Sequence, residues 1–259
     1  MALELPAQTT EPPIRSLDNV TFQKGEFLKF RVHYGFITAG YATLKVGEKR
    51  VWEKGRPCHH IAFTGTTNPK FDWIFKVRDV YESFLDEEAL LSWRFNRSIE
   101  EGSFSSYTET HFDHWKGKAR YIHANKHESI FSVPDNIQDV ISAFYFARTF
   151  YDQKTLKVGD KISLKNFIDR KTFALEAKVL SREEIEVEGS TYKALKFDLL
   201  IEESGMITDG STIQFWISDD DNKIPLRIES DLMIGSLKAD LMSYSGLSHP
   251  LTSLVKKSD

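Results

Sequence analysis

The feature that most constrains this chain is a period-two alternation of apolar and polar residues that recurs along most of its length. It is clearest where Trp216-Ile217-Ser218 is followed by the polar loop Asp219-Asp220-Asp221-Asn222-Lys223 and then by Ile224-Pro225-Leu226-Arg227-Ile228-Glu229-Ser230. Successive side chains of a strand point to opposite faces, so the pattern describes two antiparallel strands with one buried face. The Asp and Asn residues between them tolerate the dihedrals of a tight turn. Pro225 stands at the entry of the second strand, where a missing N–H costs the ladder least.

The same signature begins at Gly25. Phe27, Lys29, Arg31 and His33 alternate with Leu28, Phe30, Val32 and Tyr34; the stretch from Gly35 to Gly40 permits a tight bend or bulge; alternation then resumes through Tyr41-Val46. Further strands are expected at 59–67, 77–85, 91–99, 105–112, 118–123, 161–167, 172–180, 183–188, 192–201, 212–217, 224–231 and 236–244, with Gly189-Ser190 and Asp209-Gly210 as hairpin turns. One stretch breaks the pattern. Between Pro134 and Tyr151, Asp135 is placed to cap a helix and Gln138 follows three residues later, as in a capping box. Ile137, Val140, Ile141, Phe144 and Arg148 then keep the spacing of one helical face. An amphipathic helix is predicted over about 135–150.

A dozen or so strands around one helix predict a mainly β fold: a large curved antiparallel sheet, an open barrel or two packed sheets, and not a doubly wound nucleotide-binding fold. Residues 1–24 read as a flexible, Pro-containing leader, 25–247 as a single β-rich domain with its one plausible seam near Pro134, and 248–259 as a tail.

Composition narrows the function classes. The formal net charge is −4 and the basic residues are not clustered, so nucleic acid is not an expected partner. A single cysteine, Cys58, rules out an intrachain disulfide. There is no apolar run of the length needed for a membrane-spanning helix. Phosphate-loop, dinucleotide, nucleophile-elbow and His-Glu-x-x-His motifs are all missing, which argues against ATP-dependent chemistry, and no cofactor is expected. Leu5-Pro6-Ala7-Gln8, followed by Thr9-Thr10-Glu11-Pro12-Pro13, looks like the small-residue end of a secretory signal, so an export signal is expected upstream of Met1.

Several clusters are chemically suggestive. His111 and Asp113 would share a strand face, but spacing supplies no third ligand from His33, His59 or His60; a polar strand is the expectation and no metal site is assigned. Phe71, Trp73 and Phe75 put three aromatics within five residues, as core packing or as a lip that contacts sugar or lipid. Asp72, Asp79, Glu82, Asp86, Glu109 and Asp113 offer carboxylates for glycosidase-type acid and base work, or simply solvated strand faces. Asp219-Asp220-Asp221-Asn222 lacks the spacing, glycine and terminal glutamate of an EF-hand and reads as a turn. Cys58 and His59, as strand neighbours, point to opposite faces and are badly placed for thiol catalysis.

Five segments together carry a family likeness: the opening Gly25-Glu26-x-Leu28-x-Phe30-x-Val32-x-Tyr34-Gly35, the bend Thr38-Ala39-Gly40-x-Ala42, Phe71-Asp72-Trp73-x-Phe75-x-Val77-x-Asp79, Gln138-Asp139-x-x-Ser142-Ala143-Phe144-Tyr145, and Trp216-Ile217-Ser218-Asp219 through Pro225-Leu226-Arg227. In order and spacing, from about Gly25 to Gly246, the chain resembles the uncharacterised bacterial family DUF3108. The resemblance implies a cell-envelope, periplasmic location and brings no activity or functional residues with it. The hairpin is also distantly similar to one in envelope proteins of the lipoprotein-carrier type, in which an unclosed β-barrel holds lipid chains on its concave face. The expected function is therefore non-enzymatic: binding of an apolar or amphipathic ligand (lipid, lipoprotein segment or glycan) on a curved β surface, with Phe71, Trp73, Phe75, His111 and Asp113 as candidate contacts. The alternatives are a carbohydrate-active enzyme using paired carboxylates and an interaction module using exposed strand edges.

Overall fold

The computed structural model describes residues 14–201, 213–231 and 235–257. Strands β1 (Phe27–Tyr34), β2 (Ile37–Val46), β3 (Val51–Glu53), β4 (Arg56–Thr67), β5 (Arg78–Asp86), β6 (Ser92–Glu101), β7 (Phe104–Asp113), β8 (Lys118–His123) and β9 (Glu128–Ser132) precede the helix α1 (Val140–Phe150). After it come β10 (Lys161–Ile168), β11 (Lys171–Val187), β12 (Ser190–Ile201), β13 (Ile213–Ser218), β14 (Pro225–Asp231), β15 (Ser236–Ser245) and β16 (Leu254–Lys256). They form one antiparallel sheet in the order β10-β11-β12-β13-β14-β15-β1-β2-β4-β5-β6-β7-β8-β9, with β3 paired to β4 and β16 to β12. Most neighbours in space are neighbours in sequence, as short hairpins dictate. The long-range step is β15 against β1, which joins the two halves of the chain.

The sheet curves but does not close, because β9 and β10 are not hydrogen-bonded to each other. The chain between them fills the gap. Gln138 N–H donates to the Lys165 carbonyl (3.0 Å) and Phe167 N–H to the Gln138 carbonyl (2.9 Å), while the Phe131 and Phe167 rings lie 5.6 Å apart. This placement corrects the predicted helix start. Gln138 bridges to β10 and to the Leu90 carbonyl, so it is not a capping-box partner. The cap is Asp139, whose carboxylate accepts from the Ile141 and Ser142 N–H groups, with the Ser142 hydroxyl accepting from Asp139 N–H. The helix therefore begins five residues later than the periodicity predicts.

Two local features explain how strands meet so closely. A Cβ at Gly40 would lie 2.3 Å from the Thr66 carbonyl oxygen, so β2 and β4 can pair there only around a glycine. The predicted turn at Gly189-Ser190 is made by Glu188 and Gly189, both with positive φ, as a two-residue hairpin requires. The expected strands at 172–180 and 183–188 are one long strand, β11, with a bulge at Val179/Ser181 that reads in sequence as a break. The predicted Asp209-Gly210 turn and residues 1–13 of the leader lie outside the described residues.

Both expected loose ends are tied to the body where they are described. Arg15 donates to the Ala89 and Leu90 carbonyls, and Thr21 and Phe22 are buried, so order begins well before Gly25. In the expected tail, β16 pairs with β12 and Ser253 is buried against the Asp220 carboxylate. Apolar side chains at 17, 20 and 22, and at 251 and 254, are too sparse to show a period.

Candidate functional site

The two ends of the curved sheet are built differently. At one end α1 lies across the concave face. Ser83 of β5 donates to the Asp139 carboxylate (2.6 Å), and the helix packs Ile141, Tyr145 and Phe146 into the core formed by Leu28, Phe30, Leu44, Ile61, Leu85 and Phe95. Arg148, predicted as the polar end of an apolar helix face, is fully buried. Its guanidinium makes a two-pronged pair with Glu26 (2.7 and 2.8 Å) and donates to the Asn222 carbonyl, while the Tyr145 hydroxyl also reaches Glu26 (3.2 Å). Burial works against the Arg148 charge, and Glu26 outweighs it, so the guanidinium is held protonated more firmly than usual. The acidic hairpin loop closes this end. Asp220 accepts from Ser218, Asn222 and Ser253, and Lys223, with φ 49°, completes the turn. The loop is a buried organiser of the closed end; of its other acids, Asp219 is paired with Arg182 and Asp221 accepts from the Gln153 side chain.

Toward the other end the same concave face loses its cover. On β14 exposure climbs from 0% at Leu226 to 40% at Ile228, and on β15 from 2% at Leu241 to 37% at Leu237. The change is parallel on β1, where buried Leu28 and Phe30 give way to half-buried Val32 and exposed Tyr34, and on β4 and β5, where Ile61 and Leu85 give way to half-buried Phe63 and Tyr81. Within each strand these residues are two or four apart, so they share one face. The result is an apolar mouth above the helix. Arg97 faces into it and pairs with Asp169 of the β10–β11 turn (2.5 and 2.9 Å).

One side of this mouth is edged by exposed apolar residues, most of them aromatic. Phe36 and Ile37 cap the β1–β2 turn, Trp73, Ile74 and Phe75 project from the β4–β5 loop, and Phe104 follows the β6–β7 turn. Phe36 is 95% and Trp73 81% exposed. The loop that presents them is fixed. Asn68 caps a short 3-10 turn at Pro69–Phe71 and ties it to the neighbouring hairpin through the Ala39 and Thr38 carbonyls; Thr67 Oγ1 donates to the Phe75 carbonyl and accepts from Val77 N–H; Gly102 N–H donates to the Lys76 carbonyl. The Trp73 indole N–H is satisfied by the Lys70 carbonyl at 3.1 Å, which leaves the ring face outward.

The five predicted contact residues are divided by the structure. Trp73 and Phe75 belong to the exposed lip and Phe71 is half-buried at its base. His111 and Asp113 sit on the other face of β7, away from the mouth: His111 pairs with Glu109 (3.1 Å) and Asp113 with Lys54 (3.6 Å). No group of three or more metal-ligating side chains occurs among the described residues. Sequence reasoning missed Phe36, Ile37, Phe104, Ile228 and Leu237. One signal was present: Gly35-Phe36-Ile37 places bulky apolar residues in a turn, where polar ones are the rule.

The carboxylates weighed for acid–base chemistry are dispersed. Asp72 is paired with Arg78, Asp79 accepts from Glu100 N–H, and Asp86 is fully buried under Arg56 and Trp93. Glu82 holds His60 (2.8 Å) and Glu109 holds Tyr107 (2.8 Å); Asn96 stands between the two acids, which are therefore separated by two strand spacings, about 10 Å. Neither lines the surface depression of about 550 Å³ beside His59, Lys24 and Glu87 or the one of about 380 Å³ beside His60 and Lys45. Burial pushes the Cys58 thiol up to about 12, so it is not a nucleophile at neutral pH.

Comparison with known proteins places the chain by family and fold. The sequence model described as "Protein of unknown function (DUF3108)" matches residues 29–242, and the chain belongs to that family. No curated protein matches the sequence. Among solved structures, a β-barrel-like protein of the domain of unknown function DUF1849 from Brucella abortus is similar over 87% of this chain and 98% of its own, with a TM-score of 0.56 and 10% identity. A hypothetical protein, CT021, from Chlamydia trachomatis aligns over 88% of this chain and 89% of its own at a TM-score of 0.36 and 8% identity. The first likeness shows a shared β-barrel-like fold.

Proposed function

We propose, for a member of a family that brings no activity with it, a non-enzymatic protein of the bacterial cell envelope that holds the apolar part of an amphipathic ligand in the open mouth of its curved sheet. The observation that carries this reading is the exposure gradient on the concave face, from fully buried Leu226 to Ile228 at 40% within two residues. An apolar surface left open on an otherwise packed face is the ordinary form of a ligand site. The mechanism is desolvation. An acyl chain or comparable apolar segment replaces water against Val32, Phe63, Tyr81, Ile228 and Leu237, and the Arg97–Asp169 pair at the entrance orients a polar headgroup. The site is the upper half of the concave face alone, since α1 occupies the lower half. The envelope location rests on the family resemblance and on the signal-like residues near Met1. No helix among the described residues is long and apolar enough to cross a membrane.

The test is titration with a fluorescent lysophospholipid. Wild-type protein is expected to bind it. Ile228→Arg places a charge among the lining residues and is expected to weaken binding about tenfold or more, since a fully buried aliphatic side chain is worth about 1.5–3 kcal/mol. His111→Ala, on the other face, leaves binding unchanged. Equal binding by Ile228→Arg and wild type would remove the mouth as the site.

A further inference from the structure

We infer that the aromatic lip is a membrane-docking edge, which seats the open mouth on the surface of an anionic bilayer. The inference rests on the mouth being the ligand site, and adds where the ligand is met. The tips carrying Phe36–Ile37, Trp73–Phe75 and Phe104 are consecutive around the sheet, because β1-β2, β4-β5 and β6-β7 are neighbours in its order. Each step spans two strands, so the lip extends over about 20 Å along one edge.

Three observations favour a bilayer as the occupant. The side chains project from three separate turns as a row of exposed apolar groups, which suits a soft apolar medium better than a folded protein surface. Their backbones are hydrogen-bonded to one another across the tips, so no strand edge is offered to an extended peptide. Lys70 and Lys76 flank the Trp73 loop and make no ion pair among the described residues; with their long stems they reach lipid phosphates while the rings enter the acyl boundary. The nearby acids Asp72 and Asp169 are neutralised by Arg78 and Arg97, while Glu100 and Glu101 are exposed beside the Phe104 turn. Because the lip turns are held by hydrogen bonds in the free protein, little ordering opposes insertion.

The full chain should co-sediment with vesicles of phosphatidylcholine and phosphatidylglycerol mixed three to one, and several-fold less with phosphatidylcholine alone. Phe36→Ser combined with Trp73→Ser should lower the partition coefficient at least about tenfold, with circular dichroism and melting temperature unchanged. Lys70→Gln with Lys76→Gln should abolish most of the difference between the two vesicle types. Tryptophan emission should shift to the blue on mixed vesicles in the wild type and not in Trp73→Phe. No sedimentation with either vesicle, or sedimentation of the Phe36→Ser, Trp73→Ser variant equal to wild type, overturns docking. Lysophospholipid binding by the same preparations separates the two ideas: if it persists while vesicle binding fails, the mouth stands and the docking edge falls.

Discussion

The closed and open ends of this sheet use the same strands and the same concave face to opposite purposes. At the closed end the buried charged groups meet partners within the chain: Arg148 finds Glu26, Asp139 finds Ser83 and two backbone N–H groups, and Asp220 holds its own loop. At the open end Phe63 and Tyr81 pack on each other (5.7 Å) but stay half-buried, Ile228 and Leu237 are exposed, and the edge adds bulky side chains that raise the exposed area. Stability is concentrated in the first region, and the capacity to bind is left in the second. The same separation of a rigid frame from an unsatisfied surface recurs wherever loops on a scaffold carry function.

That contrast is broken most directly at Arg148. Arg148→Met removes one partner and leaves Glu26 as an uncompensated charge in the core, which costs about 3–5 kcal/mol. Chemical denaturation should show the loss, and Glu26→Gln combined with Arg148→Met should recover part of it. A destabilisation below about 1 kcal/mol for the single variant would mean that the pair does not hold the closed end together.

Acid sharpens the contrast next. Burial, countered in part by Glu87 and reinforced by Lys24 and Arg50, pushes the His59 ring down to about 4. The unfolded ring titrates near 6.5, so between those values the unfolded state binds the extra proton. Stability is then full above about pH 6.5 and falls as pH drops toward 4, by up to about 3 kcal/mol from this residue. Burial lowers the His114 ring and the His111 ring as well, with the same sign. His59→Asn should flatten most of the slope in urea midpoints measured across that range; an unchanged slope would assign it elsewhere.

Smaller effects follow at the helix cap and the lip. Asp139→Ala strips α1 of the acceptor for two N–H groups and leaves the Ser83 hydroxyl without its partner, a loss of about 1–2 kcal/mol. Phe36→Ser changes a residue that is 95% exposed and should alter stability by no more than about 0.5 kcal/mol. A large drop in melting temperature for this lip variant would show that the edge is structural and erase the distinction between the two ends.

Much of the frame is legible in the sequence for a physical reason. Period-two alternation is enforced by the pleat itself, so strands such as β1, β8 and β14 declare themselves within a residue or two. The helix was visible and its start was not, because Gln138 is drawn into the gap beside β10 by a pairing with Asn166, far downstream in sequence. The short strands β3, β9 and β16 escape notice, since three to five residues are too few to show a period. At the candidate site, Trp73 and Phe75 stand out as an aromatic cluster, and His111 and Asp113 stand out equally, although they face away from the mouth. Nothing local distinguishes the two pairs.

The sequence by itself determined a mainly β chain with one amphipathic helix, a hairpin around Asp219–Lys223 and membership of a recognisable family, because each of these is written in local periodicity and turn chemistry. Only the tertiary structure decided that α1 fills one end of the concave face and leaves the other open, that Arg148 is buried against Glu26, and that Phe36, Trp73 and Phe104, far apart in the chain, share one exposed edge. Such facts depend on which strands become neighbours and on how far a helix reaches across them, and those are properties of packing among distant residues.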